Sequence, residues 1–323
     1  MDAHDPRWAA VFGLALLAVG CQQNDPEALP TDREVSVMEF EQINLDWRER
    51  RVERLTEPYG WLSLTGLHPL EPGRHTVGSA AENGIVIERG PARWGSIELG
   101  ADQRVWFEAE PGAGVTLDGR PVARVELVLD DGLDGSSGPT TLEADRIRIH
   151  LVRPGGRLAL RVRDPEAAPR AEFVGLDYYS LDLTWRFDAE FEPHPPGTTL
   201  KVANVLGQLI DEPNPGRVRF EHGGQTLTLE AVLEDDRLFF IFADRTSGRE
   251  TYGLGRFLYA DLPDEAGHVV LDFNQAYNPP CAFNAFTTCP LSPADNRIDA
   301  WVRVGERAYA GPPGIREPRP PES

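Results

Sequence analysis

The sequence predicts a mainly β protein: one N-terminal helix, a β-sandwich, then a second antiparallel sheet or barrel-like domain. Three observations predict this. Short runs of alternating apolar and polar residues recur from Gly84 onward. The 31 glycines and 28 prolines suit many short strands joined by tight turns. Helical spacing is sustained in only one stretch, near the amino terminus.

The elements follow in chain order. Trp8 to Gly20 is an apolar run too short for a stable membrane span, but of the right length for a signal-peptide core. Ala18, Val19 and Gly20 directly before Cys21 resemble the processing box of bacterial lipoproteins. That resemblance implies a signal peptide over 1–20 and a lipid on Cys21, which becomes the first residue and ties the chain to a membrane. Gln22 after the cysteine points to the periplasmic side of the outer membrane. Residues 21–33, polar with two prolines, read as a tether.

Residues 34–58 form the predicted helix. Val37, Phe40, Ile43, Leu45, Trp47 and Leu55 make its apolar stripe, and Asp32 or Ser36 caps its start. "RERRVER" reads as a solvated face with internal ion pairs. The sandwich is expected over 59–170, in the strands "GIVIE", "WGSIEL", "RVWFEAE", "VTLDGRPVARVELVL", "DRIRIHLV" and "RLALRVRD". Asp118-Gly119 and Pro154-Gly155-Gly156 mark hairpins. The second β-domain spans 171–309, with strands in "LDLTWRFDAEFE", "GRVRFEH", "QTLTLEAVL", "RLFFIFAD", "RFLYADL", "HVVLDF" and "RIDAWVRV" and a hairpin at His222 to Gln225. Residues 310–323 read as a disordered tail. No repeat of fixed period is present, which excludes a propeller or solenoid.

The net charge of −20, with no basic stripe, repels phosphate backbones and excludes nucleic acid as a partner. No two histidines have metal-ligand spacing, "GLGR" is too short for a phosphate loop, and no serine sits in a nucleophile elbow. No metal and no cofactor are expected. With Cys21 lipidated, Cys281 and Cys289 remain as an even pair in an exported chain and are expected to form a disulfide.

The chemistry-bearing residues concentrate between Asp244 and Asn278. "ADRTSGRETYGLGRFLY" follows an apolar strand, so its first residues sit at a strand end. In "HVVLDFN", packing of Leu271 and Phe273 into the core sends Asp272 and Asn274 to the opposite face. The candidate ligand-binding residues are Arg245, Glu250, Tyr252, Arg256, Asp272, Asn274, Tyr277 and Asn278. For Asp244, Thr246 and Ser247 a structural network is the preferred reading. The "NPP" bend at Asn278 to Pro280 aims the cysteine loop over the sheet end as a stapled lid.

"GWLSLTGLHPLEPGRHTVGS", "FADRTSGRETYGLGRFL" and "LDFNQAYNPPCAFNAFTTCPLSPADNRI" resemble the domain-of-unknown-function family numbered 1684, over about Asp46 to Glu306. That resemblance implies kinship and no chemistry. "GRHTVGSAAENGIVIERGPARWGSIEL" with "VTLDGRPV" resembles forkhead-associated β-sandwiches. It implies architecture alone, because Ser79 stands where that family presents its phosphate-binding arginine.

The expected function is a lipoprotein binding a small polar ligand in the second β-domain. Two alternatives are open. One is a hydrolase or lyase using Asp272 and Glu250 as base and acid, with Arg256 stabilising negative charge. The other is an envelope scaffold whose polar groups are only structural.

Overall fold

Helix α1 (Val37–Thr56) begins where Ser36 Oγ accepts a hydrogen bond from the Glu39 amide, 3.3 Å away. The computed structural model describes residues 35–129, 138–234 and 236–312. The expected leader with Cys21, the tether, and residues 313–323 of the tail lie outside the described residues.

The buried side of α1 is Phe40, Asn44, Arg51 and Leu55. This corrects the expected stripe: Val37 and Leu45 are 61% and 53% exposed. It also corrects the solvated reading of "RERRVER", since Arg51 is buried. The cause is what lies beneath the helix. It packs on loops that present a carboxylate and backbone carbonyls, so half of its inner stripe is polar.

The first half contains β1 (Leu64–Pro69), β2 (Gly73–Gly78), β3 (Ile85–Val86), β4 (Gly95–Leu99), β5 (Val105–Ala109) and β6 (Thr116–Leu117). Then come β7 (Arg120–Pro121), β8 (Arg124–Glu126), β9 (Leu142–Ala144), β10 (Ile147–Val152) and β11 (Ala159–Arg163). They form a six-stranded sheet, β1-β11-β10-β9-β6-β7, and a five-stranded sheet, β3-β2-β4-β5-β8. All pairings are antiparallel except β2 with β3. Inward residues of both sheets share one core, Val77, Ile97 and Phe107 from one and Ile149, Leu160 and Val162 from the other. The β6–β7 hairpin turns on Asp118 (φ 51°) and Gly119 (φ 72°), both left-handed as such a two-residue turn requires.

The second half contains β12 (Arg186–Pro193), β13 (Thr199–Ala203), β14 (Leu209–Pro213), β15 (Gly216–His222) and β16 (Gln225–Glu230). These are followed by β17 (Val232–Glu234), β18 (Arg237–Phe242), β19 (Arg256–Ala260) and β20 (His268–Asp272). Three separate ladders result: β16-β15-β12-β20, β17-β18-β19, and the β13–β14 hairpin. The four- and three-stranded sheets share a core of Phe220, Leu229, Phe240, Leu258 and Leu271, with Phe273 beside them. Both halves belong to one compact unit, Thr31–Ser323.

"RIDAWVRV" forms no strand: the chain bends at Asp299, Ala300 and Val304, and its one bridge among the described residues is parallel, Ala243 to Arg297. Ile298, Val302 and Val304 are buried, so the alternation is real. What is missing is a partner strand. A side chain satisfies its carbonyls instead, as described below.

Cys281 and Cys289 are joined by a disulfide, with Cα atoms 6.0 Å apart. The loop they close is not a lid. Cys281 to Asn284 and Thr287 are buried, Phe283 packs with Leu55 and Leu62, and Asn284 Nδ2 donates to the Leu64 carbonyl at 2.8 Å. Apolar side chains within the loop carry it inward as a plug between the two halves.

Candidate functional site

Arg256 opens β19 directly after Gly255, whose φ of +103° and close approach to the Phe242 carbonyl leave no room for a Cβ. Its guanidinium is fully enclosed. Nη2 donates to Asp244 Oδ2 (2.9 Å) and the Val302 carbonyl (2.8 Å); Nη1 donates to the carbonyls of Val304 (2.5 Å) and Glu306 (3.3 Å). Arg256 therefore stands in for the strand that the 297–304 segment lacks. Asp244 Oδ1 accepts from the Thr246 amide at 2.7 Å, which fixes the turn after β18. These groups are bonded to one another, as the structural reading of Asp244 and Thr246 predicts, and Arg256 turns inward to the protein.

A second buried network lies under α1. Asp272 ends β20, and its Oδ1 accepts from Asn274 through the amide (2.9 Å) and Nδ2 (2.8 Å). Its Oδ2 accepts from Asn44 Nδ2 at 3.1 Å. Burial raises the Asp272 pKa, and the hydrogen bonds from Asn274 and Asn44 oppose that shift only in part. Asn274 also pins the chain at Asp182, exchanging hydrogen bonds of 2.9 Å with its backbone amide and carbonyl.

Nearby, Arg51 Nε donates to Glu306 Oε1 (2.9 Å) and Nη2 to the Asn278 carbonyl (2.9 Å), while the Asn278 amide donates to Glu306 Oε2 (2.8 Å). The Arg51 guanidinium lies 4.5 Å from the centre of the Tyr277 ring. Burial works against its charge, but Glu306 and Tyr277 more than offset that and hold its pKa above the ordinary value. Burial pushes the Tyr277 phenol up to about 12, and Arg51 moderates the shift. Tyr277 is also tied through its backbone to Phe257, with both bonds 2.9 Å.

The remaining candidates sit elsewhere. Glu250 accepts from Arg303 (Nε 3.0 Å, Nη2 2.7 Å) and the Tyr179 hydroxyl (2.8 Å); these bonds, Arg303's first, lower its pKa. Tyr252 is half-buried between two apolar clusters. Arg245 is half-exposed and pairs with Asp299.

The eight candidates thus divide among separate networks. Asp272 and Glu250 belong to different ones, with no hydrogen bond or ion pair joining them among the described residues. Three partners were not singled out from the sequence: Asn44, Arg51 and Glu306. A signal existed for Arg51, which is four residues from both Trp47 and Leu55 and so lies on the helix's inner stripe. Nothing local marks Glu306.

A cavity of about 420 Å³ opens beside the Asp244–Ser247 turn. Its polar wall is Asp244, Arg245, Ser247, Ser292, Arg297 and Asp299, and Leu254, Leu291 and Ile298 supply apolar surface. Of the eight candidates only Arg245 lines it. Its walls come from "ADRTSGRETYGLGRF" on one side and "PLSPADNRID" on the other, stretches far apart in sequence. Among the described residues, no group of three His, Cys, Asp or Glu side chains is placed to hold a metal. No described helix is long and apolar enough to cross a membrane.

Residues 171–307 match the family described as Protein of unknown function (DUF1684). The chain belongs to that family. The match is shorter than the span expected from sequence, and "GWLSLTGLHPLEPGRHTVGS" lies outside it. The solution NMR structure of an uncharacterized protein from Haloarcula marismortui is 31% identical. That similarity covers 43% of this chain and 78% of the archaeal one, with a TM-score of 0.36. No curated protein matches the chain. The cavity and both buried networks fall within the DUF1684 segment, apart from Asn44 and Arg51.

Proposed function

We propose that this DUF1684 protein is an exported, lipid-anchored envelope protein that binds a small polar ligand in the cavity beside Asp244. One observation carries the ligand reading: a cavity of about 420 Å³ with hydroxyls and charges on its wall and apolar surface beside them. That size and mixture suit a small molecule oriented by a few polar contacts. The buried Arg256–Asp244 pair beneath, tied to the carbonyls of Val302 and Val304, gives the wall a fixed shape, which lowers the ordering cost of binding. The apolar run ending at Cys21 supports export and anchoring.

Thermal unfolding of the full chain with small sugars, polyols, amino acids and carboxylates tests the ligand reading. A true ligand raises the midpoint by mass action, and Ser292→Trp, which fills the cavity, removes that rise. Stabilisation that persists in Ser292→Trp rules the cavity out. Mass spectrometry of the membrane fraction tests the anchor: a diacylglyceryl group on Cys21 supports it, and an unmodified Cys21 in the soluble fraction overturns it.

A further inference from the structure

The ligand reading leaves open what kind of molecule the cavity takes, and the charges on its wall narrow the choice. Four charged residues line it, Asp244 with its side chain turned inward. Asp244 is neutralised by Arg256, and Arg245 and Asp299 neutralise each other. The fourth, Arg297, meets no carboxylate among the described residues.

Its backbone is nevertheless fixed. Ala243 donates to the Asn296 carbonyl at 3.0 Å and accepts from the Ile298 amide at 2.9 Å, bracketing Arg297 against the end of β18. An exposed arginine on a rigid backbone, at the edge of a cavity, presents a planar pair of donors to whatever enters. Ser247 lies on the same wall. Its Oγ accepts from the Asp244 amide at 3.1 Å, which leaves the hydroxyl proton to donate.

We infer, on the basis of that ligand reading, that the cavity takes a small monocarboxylate with an apolar body. The carboxylate meets the Arg297 guanidinium and the Ser247 hydroxyl, and the apolar part lies against Leu254 and Leu291. A single unpaired guanidinium matches one negative charge. A phosphate dianion would bring a second charge beside Asp299, on a chain of net charge −20, with no cation left to meet it.

The test is calorimetric titration of the full chain in detergent with benzoate and butyrate, against benzamide and butyramide as neutral counterparts of the same shape. The inference expects the carboxylates to bind at least tenfold more tightly than the amides. Arg297→Gln should weaken carboxylate binding at least tenfold. Arg249→Gln, at an exposed arginine that does not line the cavity, should leave it unchanged, and denaturation midpoints confirm that both variants fold.

Equal affinity for amide and carboxylate, unaffected by Arg297→Gln but abolished by Ser292→Trp, overturns the monocarboxylate while the ligand reading stands. Tighter binding of inorganic phosphate than of either carboxylate overturns it in the same way. If no probe, charged or neutral, gives binding that Ser292→Trp removes, the ligand reading and this inference fall together.

Discussion

Arg256 and Asp244 form an ion pair in which neither side chain touches solvent, with Nη2 2.9 Å from Oδ2. The same guanidinium holds the carbonyls of Val302 and Val304, so one side chain joins β18, β19 and the 297–304 segment. Removing one partner leaves a buried charge unanswered, which costs about 3–5 kcal/mol. Arg256→Met and Asp244→Asn should each fall in that range by urea denaturation. The double variant should lose clearly less than the sum of the two. Additive losses would show that the pair does not act as a unit.

Arg51 and Glu306 make the corresponding contact between α1 and the second half. Arg51→Met should free the helix before it unfolds the sheets. Hydrogen exchange should therefore quicken at the α1 amides while β18 and β19 stay protected. Equal loss of protection in both would mean that helix docking and sheet stability are one event.

Asp272 has its pKa raised by burial, so its charged form is disfavoured in the fold. The stability tied to this group is fully present below the unfolded pKa and is lost as pH rises through the raised folded value. Asp272→Asn keeps an acceptor for the Asn274 amide and removes the buried charge. Its stability at pH 7 should lie within about 1 kcal/mol of the parent, because one hydrogen bond to Asn44 is exchanged for relief of desolvation. Measured against the parent from pH 4 to 7, Asp272→Asn should become relatively more stable as pH rises, because it lacks that decline.

His150 behaves in the opposite sense. Burial first, then Arg163 and Arg161, hold its pKa at about 3, against an ordinary 6.5. The fold keeps the ring neutral while the unfolded chain takes up a proton, so stability is full above pH 6.5 and falls toward pH 3. The slope in that window should approach 1.4 kcal/mol per pH unit, roughly the value for one proton. His150→Phe should flatten it. An unchanged slope would assign the acid sensitivity to other groups.

The Cys281–Cys289 bridge closes a short loop, and chain entropy alone assigns it about 2.5 kcal/mol. Cys281→Ser with Cys289→Ser should lose that much by denaturation in oxidising buffer. A loss near zero would mean that the plug's buried Phe283 and Asn284 already hold it in place.

The parts of this molecule written in local pattern were legible. The alternation in "WGSIEL" and "RVWFEAE" became β4 and β5, Asp118-Gly119 became a hairpin, and Ser36 capped α1. β1 and β2 were obscured because Gly66, His68, Pro69 and Gly73 break the rhythm. "RIDAWVRV" showed a strand's burial pattern without a strand's partner, and sequence does not record that an arginine has replaced a neighbouring backbone. The candidate residues were legible as a polar concentration and illegible as a site. Their grouping depends on contacts such as Asn44 with Asp272, 228 residues apart, for which no local spacing gives a signal. Arg297, on which the ligand chemistry turns, ends the family-like stretch "PLSPADNRI" and opens "RIDAWVRV", where it reads as an ordinary strand residue.

The two halves are also unequal in what each owes the other. Glu306 and Asp272 lie within the DUF1684 segment, yet the cation and the amide that answer them, Arg51 and Asn44, are supplied by a helix more than a hundred residues upstream of it. Cut at residue 170, the segment would lose Arg51, the only ion-pair partner of the enclosed Glu306 carboxylate among the described residues. A shorter protein assembled from this segment alone must therefore bring a cation of its own to that position, or let water in where Glu306 sits.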